Sequence, residues 1–154
     1  MSRAFVKESD DVIREELPEL QISPHRNFVT AAGLRQIELS VERLREFLVR
    51  ARAADDRTAV ARIQRDLRYW VERLRTAEVV VPPPANGVAR FGSTVVLEKP
   101  NKARIEYQIV GEDESDPTEG RISYVSPIAR RIIGSAIGDA VKLPDGEAQI
   151  VEIR

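Results

Sequence analysis

Two periodicities divide this chain. From Leu34 onward the apolar side chains fall at Leu34, Ile37, Val41, Leu44, Leu48 and Ala51, alternately three and four apart, which is the seam of a coiled coil. A second run at Val60, Ile63, Leu67, Trp70, Leu74 and Ala77 repeats that spacing. The polar break between them, Ala54-Asp55-Asp56-Arg57, is too short for anything but an antiparallel turn. The pattern predicts two helices of roughly 20 residues, each about 30 Å long at ~1.5 Å per residue, pressed together along one seam. All other faces read as charged, so the hairpin is expected to stand in solvent with no second apolar stripe to cover.

The period then changes. Val79-Val80-Val81 runs into Pro82-Pro83-Pro84-Ala85-Asn86-Gly87, where successive prolines stop a helix and make a semi-rigid connector. Beyond Gly87 apolar residues alternate, predicting strands over 88–97, 105–110, 121–125 and 149–153. Turn signals separate them at Pro100-Asn101, Asp116-Pro117, Gly120 and Asp145-Gly146. Ser126 reads as an N-cap and Pro127 as the first position of a short helix over 126–133, which Gly134 ends. The expected class is α+β: an N-terminal antiparallel helical hairpin, a short coiled coil, followed by an antiparallel sheet domain with one short helix. The boundaries fall at an extended lead-in over 1–28 that contains Pro18 and Pro24, a hairpin over 29–79, a proline-rich linker over 80–87 and a sheet domain over 88–154.

Composition narrows the chemistry. At 154 residues there is room for one ordinary domain or two small ones, and the short tail domain calls for help from a neighbour to complete its core. There is no cysteine, so disulfides, thiol chemistry and cysteine-bound zinc are excluded, which suits a reducing cytoplasm. The single histidine, His25, lies between Pro24 and Arg26 with nothing to make it a base or a ligand. No apolar run approaches the ~20 residues that cross a bilayer, and the N-terminus lacks the apolar core of a signal peptide, so a soluble protein with no membrane partner is expected. The net charge of -1 hides a split, because residues 34–78 hold 11 arginines against 8 acids while both flanking segments are acidic. A charge of about +3 over a hairpin falls short of the surface of an autonomous DNA-binding domain.

The most specific stretch is 105–141, IEYQIVGEDESDPTEGRISYVSPIARRIIGSAIGDAV. Its order of parts closely resembles the C-terminal domain of the Gre transcript-cleavage factors of bacterial RNA polymerase. The start MSRAFVKE and the segment SPHRNFVTAAGLRQI, with a Thr-x-x-Gly-Leu entry before the helices, resemble the same family. The resemblance implies an FKBP-like C-terminal domain, similar to FK506-binding prolyl isomerases in fold. It also implies a bacterial cytoplasmic elongation factor whose partner is RNA polymerase, meeting nascent RNA or DNA only within the elongation complex. In such factors the hairpin enters the polymerase secondary channel, and tip carboxylates help hold a Mg²⁺ shared with the polymerase active centre; no cofactor of the protein's own is implied. Such a protein is not an enzyme by itself but at most an accessory cleavage factor. A prolyl isomerase is disfavoured, because Phe91, Tyr107 and Tyr124 are too few aromatic walls for that pocket.

The tip departs from the family pattern Gly-Asp-Leu-x-Glu-Asn-Ala-Glu-Tyr. Setting Asp55 on the family Asp puts Thr58 where the Glu belongs, so Asp55 and its neighbour Asp56 are the remaining candidates for cleavage chemistry. Adjacent residues do not share a helix face, and an Asp before a helix serves equally as a cap. The arms are also roughly ten residues shorter than is typical of the family, a loss of about 15 Å of reach. This points to a close comparison with the short-hairpin Rnk-type regulators, or with a competitor that binds polymerase without stimulating cleavage. A free-standing metal-dependent nuclease is disfavoured, since two carboxylates cannot build a site alone. Arg57, Arg65, Arg68 and Arg75 lie along the second helix as candidates for a phosphate backbone or an acidic polymerase surface, the alternative being a solvated face paired with acids. Trp70 sits on the seam and reads as core. The resemblance assigns polymerase docking to Tyr124, Ser126, Pro127, Ile128 and Ala129, a segment that equally suits a strand-to-helix turn. Gly138-Asp139 reads as turn chemistry.

Overall fold

The computed structural model describes residues 17–154 apart from 83 and 85. The start of the lead-in, including MSRAFVKE, and two residues of the linker lie outside these. The heptad seam forms two helices, α1 over Ala31–Ala53 and α2 over Arg57–Thr76, which pack against each other along their length. Thr30 caps α1 by accepting from Gly33 N, and Asp56 caps α2 by accepting from Ala59 N at 2.9 Å. On α1 the seam residues Ile37, Val41, Leu48 and Ala51 are buried. On α2 the apolar seam, Trp70 included, is only half-buried, and the residue most removed from solvent is Arg73.

The expectation of uniformly charged outer faces needs correction. Leu39, Phe47 and Val49 on α1 and Val71 on α2 are exposed. They are spread around the hairpin rather than aligned, as isolated surface apolar residues commonly are. The Phe47 ring is partly covered by the Arg50 guanidinium at 6.0 Å.

The root of the hairpin is closed by a two-stranded ribbon that the sequence pattern did not announce. Strand β1, Phe28–Val29, runs parallel to β2, Glu78–Val79. The chain therefore pairs the entry to α1 with the exit from α2.

The C-terminal domain is a five-stranded sheet made of β3 (Thr94–Glu98), β4 (Arg104–Val110), β5 (Arg121–Ser123), β6 (Ala140–Leu143) and β7 (Gly146–Ile153), in the order β5-β4-β3-β7-β6. Helix α3, Pro127–Ile132, covers one face. Val95, Leu97, Ile109, Ile122, Ala129, Ile132, Val141 and Ile150 form the core between sheet and helix. Ser126 caps α3 by accepting from Ala129 N at 3.2 Å, and Gly134 takes the left-handed conformation (φ 86°) just past its end.

Two expectations for this domain are corrected. The sheet is mixed rather than wholly antiparallel, because β5 runs parallel to β4 with Gln108 opposite Arg121 and Val110 opposite Ser123. Between them the chain passes through two short 3₁₀ turns, Glu112–Glu114 and Pro117–Glu119, which return it to the start of a parallel register. The strand expected over 88–97 begins only at Thr94. Arg90 to Ser93 forms a turn with Gly92 at φ 85°, and Val88 makes a single bridge to Ala136.

The core assignment has a direct consequence for stability. Ile109→Ala, at a fully buried position, is expected to lower unfolding free energy by about 2–5 kcal/mol in urea denaturation. Ile137→Ala, at a residue that is 55% exposed, should shift it by less than about 0.5 kcal/mol.

Candidate functional site

The hairpin is mounted on the sheet domain by the acidic 3₁₀ turn Glu112–Glu114. Glu114 is buried and its carboxylate accepts from the backbone N–H of Thr30 (3.1 Å), the Thr30 hydroxyl and the backbone N–H of Gly111 (2.9 Å). Thr30 in turn accepts from Gly33 N at 3.0 Å, so one carboxylate braces the capped start of α1. Two glycines make this approach feasible. A Cβ on Gly33 would lie 2.0 Å from Glu114 Cδ, and one on Gly111 would lie 2.4 Å from Phe28 O.

Asp113 grips the other helix. It accepts from Arg73 Nε at 2.5 Å and from the Tyr69 hydroxyl at 2.7 Å. Arg73, with its side chain 2% exposed, also donates to Asn27 Oδ1 at 2.7 Å, and Asn27 Nδ2 donates back to Arg73 O at 2.7 Å. Burial, and then the bond to Asp113, push the Tyr69 hydroxyl up to about 12. A third contact is apolar. Phe28, Phe91 and Tyr124 form a ring cluster with centroids 5.3, 5.7 and 6.0 Å apart, and the Tyr124 hydroxyl donates to Arg26 O.

At the far end of the hairpin the two candidate carboxylates differ. Asp56 is occupied as the α2 cap. Asp55 takes the left-handed conformation at φ 51°, its side chain 89% exposed and 4.0 Å from Arg57 Nε. The turn therefore presents one exposed carboxylate that takes no part in capping. Among the described residues no group of three or more metal-ligating side chains gathers anywhere.

The arginine flank is largely self-paired. Arg65 donates to Asp66 at 2.7 Å, Arg75 to Glu72 at 2.6 Å, and Arg57 lies beside Asp55. Arg68 instead reaches Glu19 of the lead-in, its Nε donating to both carboxylate oxygens at 3.1 Å.

The segment proposed for docking splits by burial. Ala129, on the inner face of α3, is fully buried and cannot itself touch a partner, a correction to its assignment. Ile128 packs against the core, Ser126 is spent as a cap, and Tyr124 belongs to the ring cluster at the hairpin root. Pro127 is exposed. Ile133 and Ile137, which sequence reasoning did not select, are 38% and 55% exposed on either side of the Gly134 turn. Arg130 and Arg131 are exposed beside them. A large apolar residue just after a helix-ending glycine was the available signal.

Comparison with known proteins bears on the sheet domain. The family model described as "Transcription elongation factor, GreA/GreB, C-term" matches residues 84–154. Transcription elongation factor GreA of Alkalilimnicola ehrlichii is 43% identical over 89 residues, covering 53% of this chain and 56% of that protein. The GreA of Helicobacter pylori strain Shi470 is 44% identical over 81 residues, covering 50% and 49%, and that of Pseudomonas putida 47% identical over 76 residues, covering 46% and 48%. The chain thus spans about half the length of the curated relatives it matches. Among solved structures, the Thermus thermophilus GreA factor homolog 1 (Gfh1) is 26% identical, with 84% of this chain and 99% of that one covered and a TM-score of 0.41.

The mount is open to two tests. Arg73→Ala leaves the Asp113 carboxylate buried without its cation, and is expected to cost about 3–5 kcal/mol in urea denaturation. Arg75→Ala, on the exposed flank, should leave the midpoint unchanged. For Tyr69 the unfolded chain ionises near pH 10 and the folded one near 12, so its stabilising contribution is complete below about pH 10 and is lost as pH rises to 12. Absorbance titration of a Tyr107→Phe/Tyr124→Phe variant, in which Tyr69 is the last tyrosine, should show that late ionisation.

Proposed function

We propose that this chain, whose residues 84–154 match the GreA/GreB C-terminal family model, is a transcription elongation factor that docks on RNA polymerase with that domain and presents its hairpin to the secondary channel. The observation that carries the reading is the match over the whole sheet domain together with a hairpin rigidly mounted on it. The factor works through the polymerase's active centre and not as a catalyst of its own. The docking face is the exposed apolar and cationic rim of α3: Pro127, Arg130, Arg131, Ile133 and Ile137. An apolar pair ringed by arginines suits a partner surface that is apolar at its centre and acidic at its edge.

One feature of the tip favours a weak cleavage activity within that role. A second metal in two-metal phosphodiester hydrolysis needs hard oxygen ligands from the factor. Here Asp56 is engaged in capping and Asp55 stands alone on a shortened arm. Any Mg²⁺ shared with the polymerase would meet Asp55 as the tip carboxylate not spent on helix capping. The protein then acts chiefly by occupying the channel.

Ile137→Asp is expected to leave the melting temperature unchanged and to weaken binding to RNA polymerase about tenfold or more, the effect of losing an interface anchor. Unchanged affinity would move the docking face elsewhere. On a backtracked elongation complex the protein alone should stimulate little transcript cleavage, and rising amounts should suppress cleavage by an active GreA. Strong Mg²⁺-dependent cleavage that Asp55→Ala abolishes would show that this single carboxylate suffices.

A further inference from the structure

The lead-in that precedes β1 is fastened at two points, one on the acidic turn of the sheet domain and one on the hairpin. Ser23 Oγ donates to Glu112 Oε1 at 2.9 Å at the root, and four residues earlier Glu19 receives the Arg68 guanidinium. Arg68 lies five positions tipward of Arg73, about 7.5 Å along α2 at ~1.5 Å per residue, so the chain read backwards from Ser23 climbs the hairpin flank. Among the four arginines of that flank, Arg68 is the one whose carboxylate partner comes from outside the hairpin. Arg68 and, more weakly, Arg65 hold the Glu19 carboxyl below the usual carboxylate range.

We propose that residues 17–23 form a self-masking strap, in which Glu19 occupies the anion-binding position of Arg68 and competes with nucleic-acid phosphate for it. The geometry is that of a substitute ligand. A guanidinium holds a carboxylate through the same parallel N–H donors with which it holds a phosphate, and here Nε meets both oxygens while Nη2 adds a third bond at 2.5 Å. The contact is exposed, with side-chain accessibilities of 58% and 62%, so it is weak enough to exchange. The root tether at Glu112 keeps the strap close to Arg68 whenever Glu19 lets go, which makes rebinding intramolecular. Strap and phosphate are thus alternatives at one guanidinium, and the strap sets a threshold that a phosphate chain must exceed. This rests on the proposed role of the hairpin only in naming nucleic acid as the competitor.

The test uses the full chain and a labelled 20-nucleotide single-stranded RNA at low salt, read by fluorescence anisotropy, with no polymerase present. Glu19→Gln is expected to tighten RNA binding about two- to fivefold, the range an exposed ion pair commands. Glu147→Gln, a charge-matched change at an exposed position in β7, should tighten it far less. In an Arg68→Ala background Glu19→Gln should add nothing beyond that control, the signature of coupled residues. Equal gains from Glu19→Gln and Glu147→Gln, a gain that survives Arg68→Ala, or no measurable RNA binding by any variant would each overturn the proposal. Failure to bind polymerase would instead count against the elongation-factor reading and leaves this result independent.

Discussion

The buried ion pair between Arg73 and Asp113 is the constraint on which the rest of the arrangement depends. It joins the last turn of α2 to the acidic turn of the sheet domain. A buried pair is weak evidence for net stability, because taking both charges out of water costs about as much as their attraction returns. What it supplies is specificity of position. Neither partner can leave without stranding the other, so the hairpin has one seat on the domain. Asn27 adds a bond to Arg73 and Tyr69 one to Asp113, and Glu114 performs the matching task at the start of α1. The domain's short 3₁₀ turn thus fixes both helices at once.

This arrangement separates two tasks along the molecule. The proposed docking rim lies on α3 in the sheet domain, and the tip stands at the far end of 20-residue α2, about 30 Å from the hairpin root. Rigid transmission between them matters more than the stability of either part. The parallel ribbon β1-β2 and the Phe28, Phe91 and Tyr124 cluster close the same junction from the other side. Tyr124 thereby helps to fix the hairpin on the sheet domain.

Much of the fold was legible because the hydrophobic pattern dictates it. A sustained 3-4 spacing admits only a helical seam, and Ser126-Pro127 followed by Gly134 marks the bounds of α3. Strand direction was not legible, since β5 has the alternation of any strand and only the tertiary path makes it parallel to β4. The mount was hidden for a related reason. Arg73 is one of 11 arginines between residues 34 and 78, and nothing local distinguishes it from its solvated neighbours. Its meaning comes from Asp113, 40 residues away. Glu112 to Glu114 likewise read as a polar turn, the ordinary reading for three consecutive acids. A faint signal did exist: Gly33 inside the first turn of α1 costs about 1 kcal/mol relative to Ala, and such a glycine marks a close approach. At the tip the sequence placed the carboxylates and offered a capping role, but not which of the two neighbours supplies the cap.

The central claim is that the hairpin is held in a single orientation on the sheet domain. The chain contains no cysteine, so two introduced at Arg57 and Glu147 would carry the only spin labels. Pulsed electron–electron resonance between those labels should give one narrow distance distribution in the wild-type background and a broadened one after Asp113→Ala. A broad or bimodal distribution with the Arg73–Asp113 pair intact would contradict the account.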